Sequence, residues 1–296
     1  MKHSFASRLR SLMWALPALV LVLVFLYFPI VENLRLSQYK FSSFMPGRVY
    51  VGFDNYIQAW NDAVFRRALF NNVAYAVVSV IFQVFLALVL AVVLEETVGK
   101  RLRGFLRTVY FIPATIATTV AGILFGFVYH PQVGLLNGAL AFFGLERFQH
   151  AWFGEQGTAI WSIIAMSQWQ NFGYTTTLFI VAVQAVPREF YEAAQVDGAS
   201  RFRTFFSITI PMVREMSTLM TIVTISGAFL VFNEIMATTA GGPANSTHTL
   251  GTWLYTSAFM NDDMGYAAAI ASVIFVITSA SAALQIWYTS KRRIEL

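Results

Sequence analysis

Three amides stand close together in a long uncharged stretch, Gln168-Trp169-Gln170-Asn171-Phe172-Gly173-Tyr174. An amide taken out of water is costly unless it meets a hydrogen-bond partner. Amides among aromatic rings can hold a polar, ring-shaped solute, bonding its hydroxyls and stacking on its face. They can equally act as glue, each bonding to a neighbouring helix. Both readings are open at this point. Glu234 stands alone at the end of another apolar run, from Met216 to Asn233. Catalytic patterns are thin. His3, His130, His150 and His248 are scattered, and neither H-E-x-x-H nor G-x-S-x-G occurs. Cysteine is absent, so disulfides and thiolate metal sites are excluded. The Gly-Lys pair Gly99-Lys100 lacks the glycine five positions earlier that a phosphate-cradling loop needs; Leu94 stands there. No catalytic residue and no metal ligand is assigned.

The elements that carry these residues follow from composition. Of 296 residues, 57% are hydrophobic and only 12% charged. Ordinary soluble domains carry about 25% charge. So little charge would leave a soluble globule with large exposed apolar patches. The apolar residues fall into runs near the roughly 20 residues that cross a bilayer as helix. Six such helices are expected, at about 12–31, 73–94, 109–129, 158–186, 216–236 and 266–290. The strict alternation of a membrane β-barrel is absent. An outer loop is expected over 32–72, in which Asp54 and Asp62 are placed to cap short helices.

Orientation comes from Lys and Arg. Lys2, Arg8 and Arg10 precede the first helix, and Lys100, Arg101, Arg103 and Arg107 follow the second. Arg188, Arg201, Arg203 and Arg214 follow the fourth, and Lys291, Arg292 and Arg293 follow the sixth. The opposite side holds fewer, so both termini are expected to be cytoplasmic. The basic start resembles a signal peptide, but its apolar run is long and no A-x-A-like site follows, so an uncleaved first helix is expected. The helix cores are nearly free of ionisable groups, which argues against a proton relay or a voltage sensor.

The cytoplasmic loop at 187–215 is too long for a linker and carries helix signals. Pro187 suits a helix start, Glu189 to Gln195 favours helix, and Gly198 is a natural stop. Ser200 can cap a second short helix that runs to Pro211 and shows Phe202, Phe205, Phe206 and Ile208 on an apolar face. Two short helices joined by a glycine turn form a knob. It can enter a groove on another protein, or lie as an amphipathic hairpin on lipid headgroups.

That loop resembles the E-A-A, three residues, G, nine residues, I-x-L-P pattern of permease subunits of binding-protein-dependent ABC importers. Glu192, Ala193, Ala194, Gly198, Ile208 and Pro211 match it, Asp197 extends it, and Ile210 stands where Leu is usual. Further segments resemble the carbohydrate branch of that family, the maltose- and glycerol-phosphate-type permeases. They are Leu16-Pro17-Ala18, Val51-Gly52-Phe53-Asp54-Asn55-Tyr56, Pro131 with Gly134 and Asn137, Phe232-Asn233-Glu234-Ile235, Thr239 to Pro243, and Gly265-Tyr266-Ala267-Ala268-Ala269. Asn233 stands where Asp is common.

The resemblance implies an all-α integral membrane protein with the type I ABC importer transmembrane-domain fold, a single permease domain over 1–296. It implies that Glu192, Ala193, Ala194, Asp197, Gly198, Ile208 and Pro211 form the loop that docks in an ATPase cleft. It places substrate contacts near Asn171, Tyr174, Asn233 and Glu234, and the amide cluster adds Gln170. The partners implied are a second homologous permease, two ATPase subunits and an extracytoplasmic solute-binding protein. ATP and Mg would then belong to the ATPases, with no cofactor on this chain. A sugar, oligosaccharide or sugar derivative is the implied substrate, with the bacterial inner membrane as location and no nucleic-acid partner. The alternatives are an ion-coupled secondary carrier and a membrane-embedded enzyme or assembly factor.

Overall fold

Where the helices run and where they break is decided by proline, by extended residues and by buried amides. The computed structural model describes residues 5–44 and 46–290. Lys2, His3, Lys291, Arg292 and Arg293 lie outside them. The described chain divides into two compact units, one of residues up to Asp62 with Leu254–Val273, the other of Ala63–Trp253 with the residues from Ile274 onward.

The first unit holds α1 (5–36), a two-residue antiparallel ladder of β1 (Tyr39–Lys40) and β2 (Val49–Tyr50) with Tyr39 opposite Tyr50, and α2 (Asp54–Asn61). This short pairing is the only strand among the described residues of an otherwise helical chain. Asn55 holds the ladder in place, donating to the carbonyls of Ser37 at 2.8 Å and Tyr39 at 3.0 Å. Gly265 lies against the Tyr39 carbonyl so closely that a Cβ there would overlap it. Tyr266 donates its hydroxyl to Asp62 at 2.7 Å. Asp54 makes no cap: it is the first residue of α2, whose N-cap is Phe53 with no side-chain bond. Asp62 is the extended residue that follows α2 and directly precedes the next helix at Ala63.

In the second unit, α3 runs over Ala63–Thr97 as one helix of 35 residues. The expected start at 73 and the outer loop over 32–72 are therefore corrected. Arg66 and Arg67 do not end the helix, and Asn71 and Asn72 are buried in it with main-chain partners. Asn71 donates to the carbonyls of Ser246 and His248, each at 2.8 Å. Asn72 donates to Ala228 O at 2.6 Å and accepts from Leu250 N at 2.8 Å.

The expected helix over 109–129 is broken. It consists of α4 (Lys100–Phe111), a single 3-10 turn over Ile112–Thr115, and α5 (Thr118–Val128). The two arms are bent by 100°. Pro113 sits in the turn, and Ile116 is extended. After α6 (Leu135–Phe142), α7 covers Ala159–Gln184, within two residues of expectation at each end.

The long segment at 187–215 folds into α8 (Arg188–Val196) and α9 (Arg201–Met212), and α9 meets α10 (Arg214–Phe229) at a bend of 72°. The expected helix over 216–236 ends at Phe229 and resumes as α11 (Asn233–Thr238). Next come α12 (250–260) and α13 (Met264–Ser290), the latter shared by the two units.

Among the described residues three helices, Trp14–Leu36, Ala63–Thr97 and Met264–Thr289, are long and apolar enough to cross a membrane, or up to five if each bent pair is one span. α7 has the length, with 26 residues, but its amides and threonines make it less apolar than the others. The core of the second unit packs α3 against α7 through Leu88, Leu94, Phe179, Ile180 and Val183, with Val213 and Met220 beyond.

Candidate coupling knob and translocation cavity

The knob is closed by hydrogen bonds at Gly198. Its φ of +71° is left-handed, a region glycine enters without Cβ strain. Gly198 N donates to Gln195 O at 3.1 Å and Ala199 N to Ala194 O at 2.9 Å. This paired closure of a helix end is the Schellman arrangement. The second helix is capped as expected, Arg203 N donating to Ser200 Oγ at 3.3 Å. Glu192, Ala193, Asp197 and Gly198 are exposed together on the tip, with Val196 88% exposed beside them. Ala194 faces inward and is buried. Ile208 and Pro211 are half-buried on α9 and do not share the tip; they belong to its support. The Tyr191 hydroxyl joins Thr209 Oγ1 at 3.2 Å, tying α8 to α9 beneath the tip, and burial raises the pKa of that phenol.

The root of the knob is fixed by a group that sequence reasoning missed. Glu95 near the end of α3 is 12% exposed. Its carboxylate accepts from Arg103 Nη1 at 2.8 Å, from Arg107, and from Gln184 Nε2 at 3.0 Å. Arg103 also donates to the carbonyls of Glu95 at 2.8 Å and Val98 at 2.9 Å. One carboxylate thus joins α3, α4 and the last residue of α7, just before Pro187. In sequence the arginines read as topology markers, and nothing in their spacing names their partner. Glu95→Ala is expected to cost about 2 kcal/mol, because it leaves two half-buried guanidiniums unpaired. Thermal unfolding of the purified protein checks this, with Glu95→Gln expected to fall between the wild type and Glu95→Ala.

The amide cluster divides by helical phase. Asn171, Tyr174 and Thr175, three and four residues apart, share one face of α7. They line a cavity of about 210 Å³ with Tyr75, Ser79 and Gln83 of α3, Thr224 of α10 and Glu234 of α11. Gln170 points away from it: it is buried and donates to Ile116 O at 2.7 Å. Asn233 is exposed and does not line the cavity. Gln168 donates to Ser79 Oγ at 3.1 Å and accepts from Gln83 Nε2 at 2.8 Å. Gln168 and Gln170 therefore act as glue between elements. Asn171 bonds within its own helix, to Ser167 O at 3.0 Å, and keeps its face on the cavity. In sequence, Tyr75, Ser79 and Gln83 read as isolated polar residues in an apolar run. Their spacing of four, which stacks them on one face, is the signal that could have found them.

Several family-like segments prove to be structural ties. Asn137 donates to Pro131 O at 2.9 Å and His150 O at 3.0 Å, and accepts from Trp152 Nε1 at 2.8 Å. Thr247 donates to Gly242 O at 2.7 Å, and Gly241 (φ +95°) packs on the His248 ring with no room for a Cβ. Glu155 accepts from Ala151 N at 2.8 Å and bonds His150 at 2.8 Å, which holds its carboxyl below the usual range.

Residues 83–293 match the family model for the binding-protein-dependent transport system inner membrane component. The chain is 47% identical over 273 residues to the probable ABC transporter permease protein YurN of Bacillus subtilis, covering 92% of this chain and 93% of that protein. It is 35% identical to the diacetylchitobiose uptake system permease protein NgcF of Streptomyces coelicolor, covering 90% and 78%. It is 32% identical to the lactose transport system permease protein LacF of Rhizobium radiobacter, covering 94% and 93%. Among solved structures, a chain of a bacterial ABC transporter that imports the acidic polysaccharide alginate superposes with a TM-score of 0.79 at 21% identity, covering 97% of this chain and 98% of that one. That likeness speaks to the fold.

Proposed function

The chain belongs to the family of binding-protein-dependent transport system inner membrane components, and on that premise we propose that it is one permease subunit of an ATP-driven importer for a sugar, oligosaccharide or sugar derivative. It pairs with a second, homologous permease in the bacterial inner membrane. Two ATPase subunits bind ATP and Mg on the cytoplasmic side, and an extracytoplasmic solute-binding protein delivers the substrate. The chain crosses the bilayer six times, α7 included, with both termini cytoplasmic. It forms a single permease domain and hydrolyses nothing itself. The transport systems named for lactose and diacetylchitobiose in related proteins support the sugar class.

One observation carries the reading. α7 lines the cavity with Asn171 and Tyr174 and ends at Gln184, directly before the exposed knob. A helix of 26 residues spans about 39 Å, so a push on the knob reaches the cavity through only the three-residue connection 185–187 and the helix itself. Glu192, Ala193, Asp197 and Gly198 meet the ATPase, Ala194, Ile208 and Pro211 hold the knob together, and closure of the ATPases on ATP moves it. Such coupling requires each ligand to favour one state of the bundle over the other. The sugar path runs along Asn171, Tyr174 and Glu234. Gln170 and Asn233 are set aside from it, because neither lines the cavity.

Asn171→Ala tests the path in the reconstituted complex with its binding protein. Loss of one or two hydrogen bonds to a hydroxyl-rich solute is expected to lower transport about tenfold with assembly intact. Unaltered affinity and rate would remove Asn171 from the path.

A further inference from the structure

The cavity holds a carboxylate with no positive partner. Glu234 lines it, half-buried, and no Lys, Arg or His is among the lining residues. A carboxylate withdrawn from water without a counter-charge is costly, and such groups within membrane proteins mark sites where a partner is supplied. A second group is equally unanswered. Tyr75 is 3% exposed, and its hydroxyl has no hydrogen-bond partner of ordinary geometry although it lines the same cavity. Of the other polar side chains there, Ser79 and Gln83 bond to Gln168, and Asn171 and Thr175 bond within α7. A carboxylate without a counter-charge and a buried hydroxyl thus line one small space.

We propose that the cavity takes a solute bearing a positively charged amine, such as an amino sugar, with Glu234 as its counter-ion and the Tyr75 hydroxyl as a hydrogen-bond partner. This deepens the transport reading and rests on it. The carboxylate attracts an ammonium group, is indifferent to a neutral amide, and repels a second carboxylate. The class of solute therefore follows from one charge, and an acidic sugar is the class this chain rejects.

Three sugars of one ring size separate these cases. Glucosamine, N-acetylglucosamine and glucuronate are each titrated at neutral pH into the detergent-solubilised importer without its binding protein, with thermal stabilisation as the readout. Glucosamine is expected to bind at least about tenfold more tightly than the other two. Glu234→Gln removes the preference of glucosamine over N-acetylglucosamine, while Glu234→Asp keeps it. Equal binding of glucosamine and N-acetylglucosamine overturns the proposal, as when the partner permease supplies the counter-charge. Preference surviving in Glu234→Gln overturns it too, as does binding of none of the three. The transport reading is judged separately: if Asn171→Ala still lowers import while glucosamine shows no preference, the path stands and only the charge class falls.

Discussion

Replacing Gly173 by alanine is expected to keep the chain from accumulating as a folded protein. Gly173 is buried in α7 where that helix meets the end of α4. A Cβ on it would overlap the Tyr110 carbonyl group and would stand 3.1 Å from Phe111 N. These are backbone atoms, so no side chain can swing aside. The helices must separate, and the apolar surface buried along α3, α4 and α7 opens with them. Overpacking of this kind costs roughly 3 kcal/mol or more, a large part of the stability of any domain. The level of folded protein after mild solubilisation and its melting temperature measure the effect. Gly104→Ala, on the same α4 but in open space, is expected to be silent. If Gly173→Ala melts like the wild type, the two backbones are not in contact.

Gly198→Pro is expected to act in the opposite way, leaving the chain stable and abolishing import. The φ of +71° cannot be adopted by proline, whose ring fixes φ near −65°. The substitution also removes the N–H that donates to Gln195 O. The turn that presents Glu192 and Ala193 is therefore lost. Nothing lies within 4 Å of a Cβ at this position, so the rest of the unit does not feel the change. Import should fall at least about a hundredfold, and the stimulation of ATP hydrolysis by loaded binding protein should vanish, because a misplaced contact breaks coupling and not assembly. Gly198→Ala pays only the left-handed strain, about 1 kcal/mol, and should retain partial transport. Glu192→Lys gives an independent check, reversing one charge on the exposed tip and leaving the turn intact.

How much was legible beforehand depended on whether a signal was local. α7 was placed within two residues because its apolar length is bounded by loops on both sides. The knob was placed because proline, glycine and a serine cap are local signals. The start of α3 is not legible in the sequence. Arg66, Arg67, Asn71 and Asn72 read as loop, and only residues 228–250 supply the partners that let the asparagines be buried in a helix. The break at 112–117 is signalled by Pro113, yet hydropathy averages over it. Glu95 was illegible for a different reason. Its partners lie on α4 and at the end of α7, and a carboxylate beside a cluster of arginines looks the same in sequence whether or not it joins three helices. The amide cluster was half legible: polar residues at that depth needed partners, but only helical phase against α3 and α11 separates Asn171 from Gln170.

The central claim is that this chain carries solute only when an ATPase drives its knob. The direct measurement is sugar uptake by proteoliposomes containing this chain, its partner permease and the ATPase, with the loaded binding protein outside and ATP within. Uptake is expected to need ATP, to be indifferent to collapse of proton and sodium gradients, and to disappear in Gly198→Pro while the complex remains assembled. Uptake by vesicles holding this chain alone, driven by an ion gradient and unchanged in Gly198→Pro, would contradict the account.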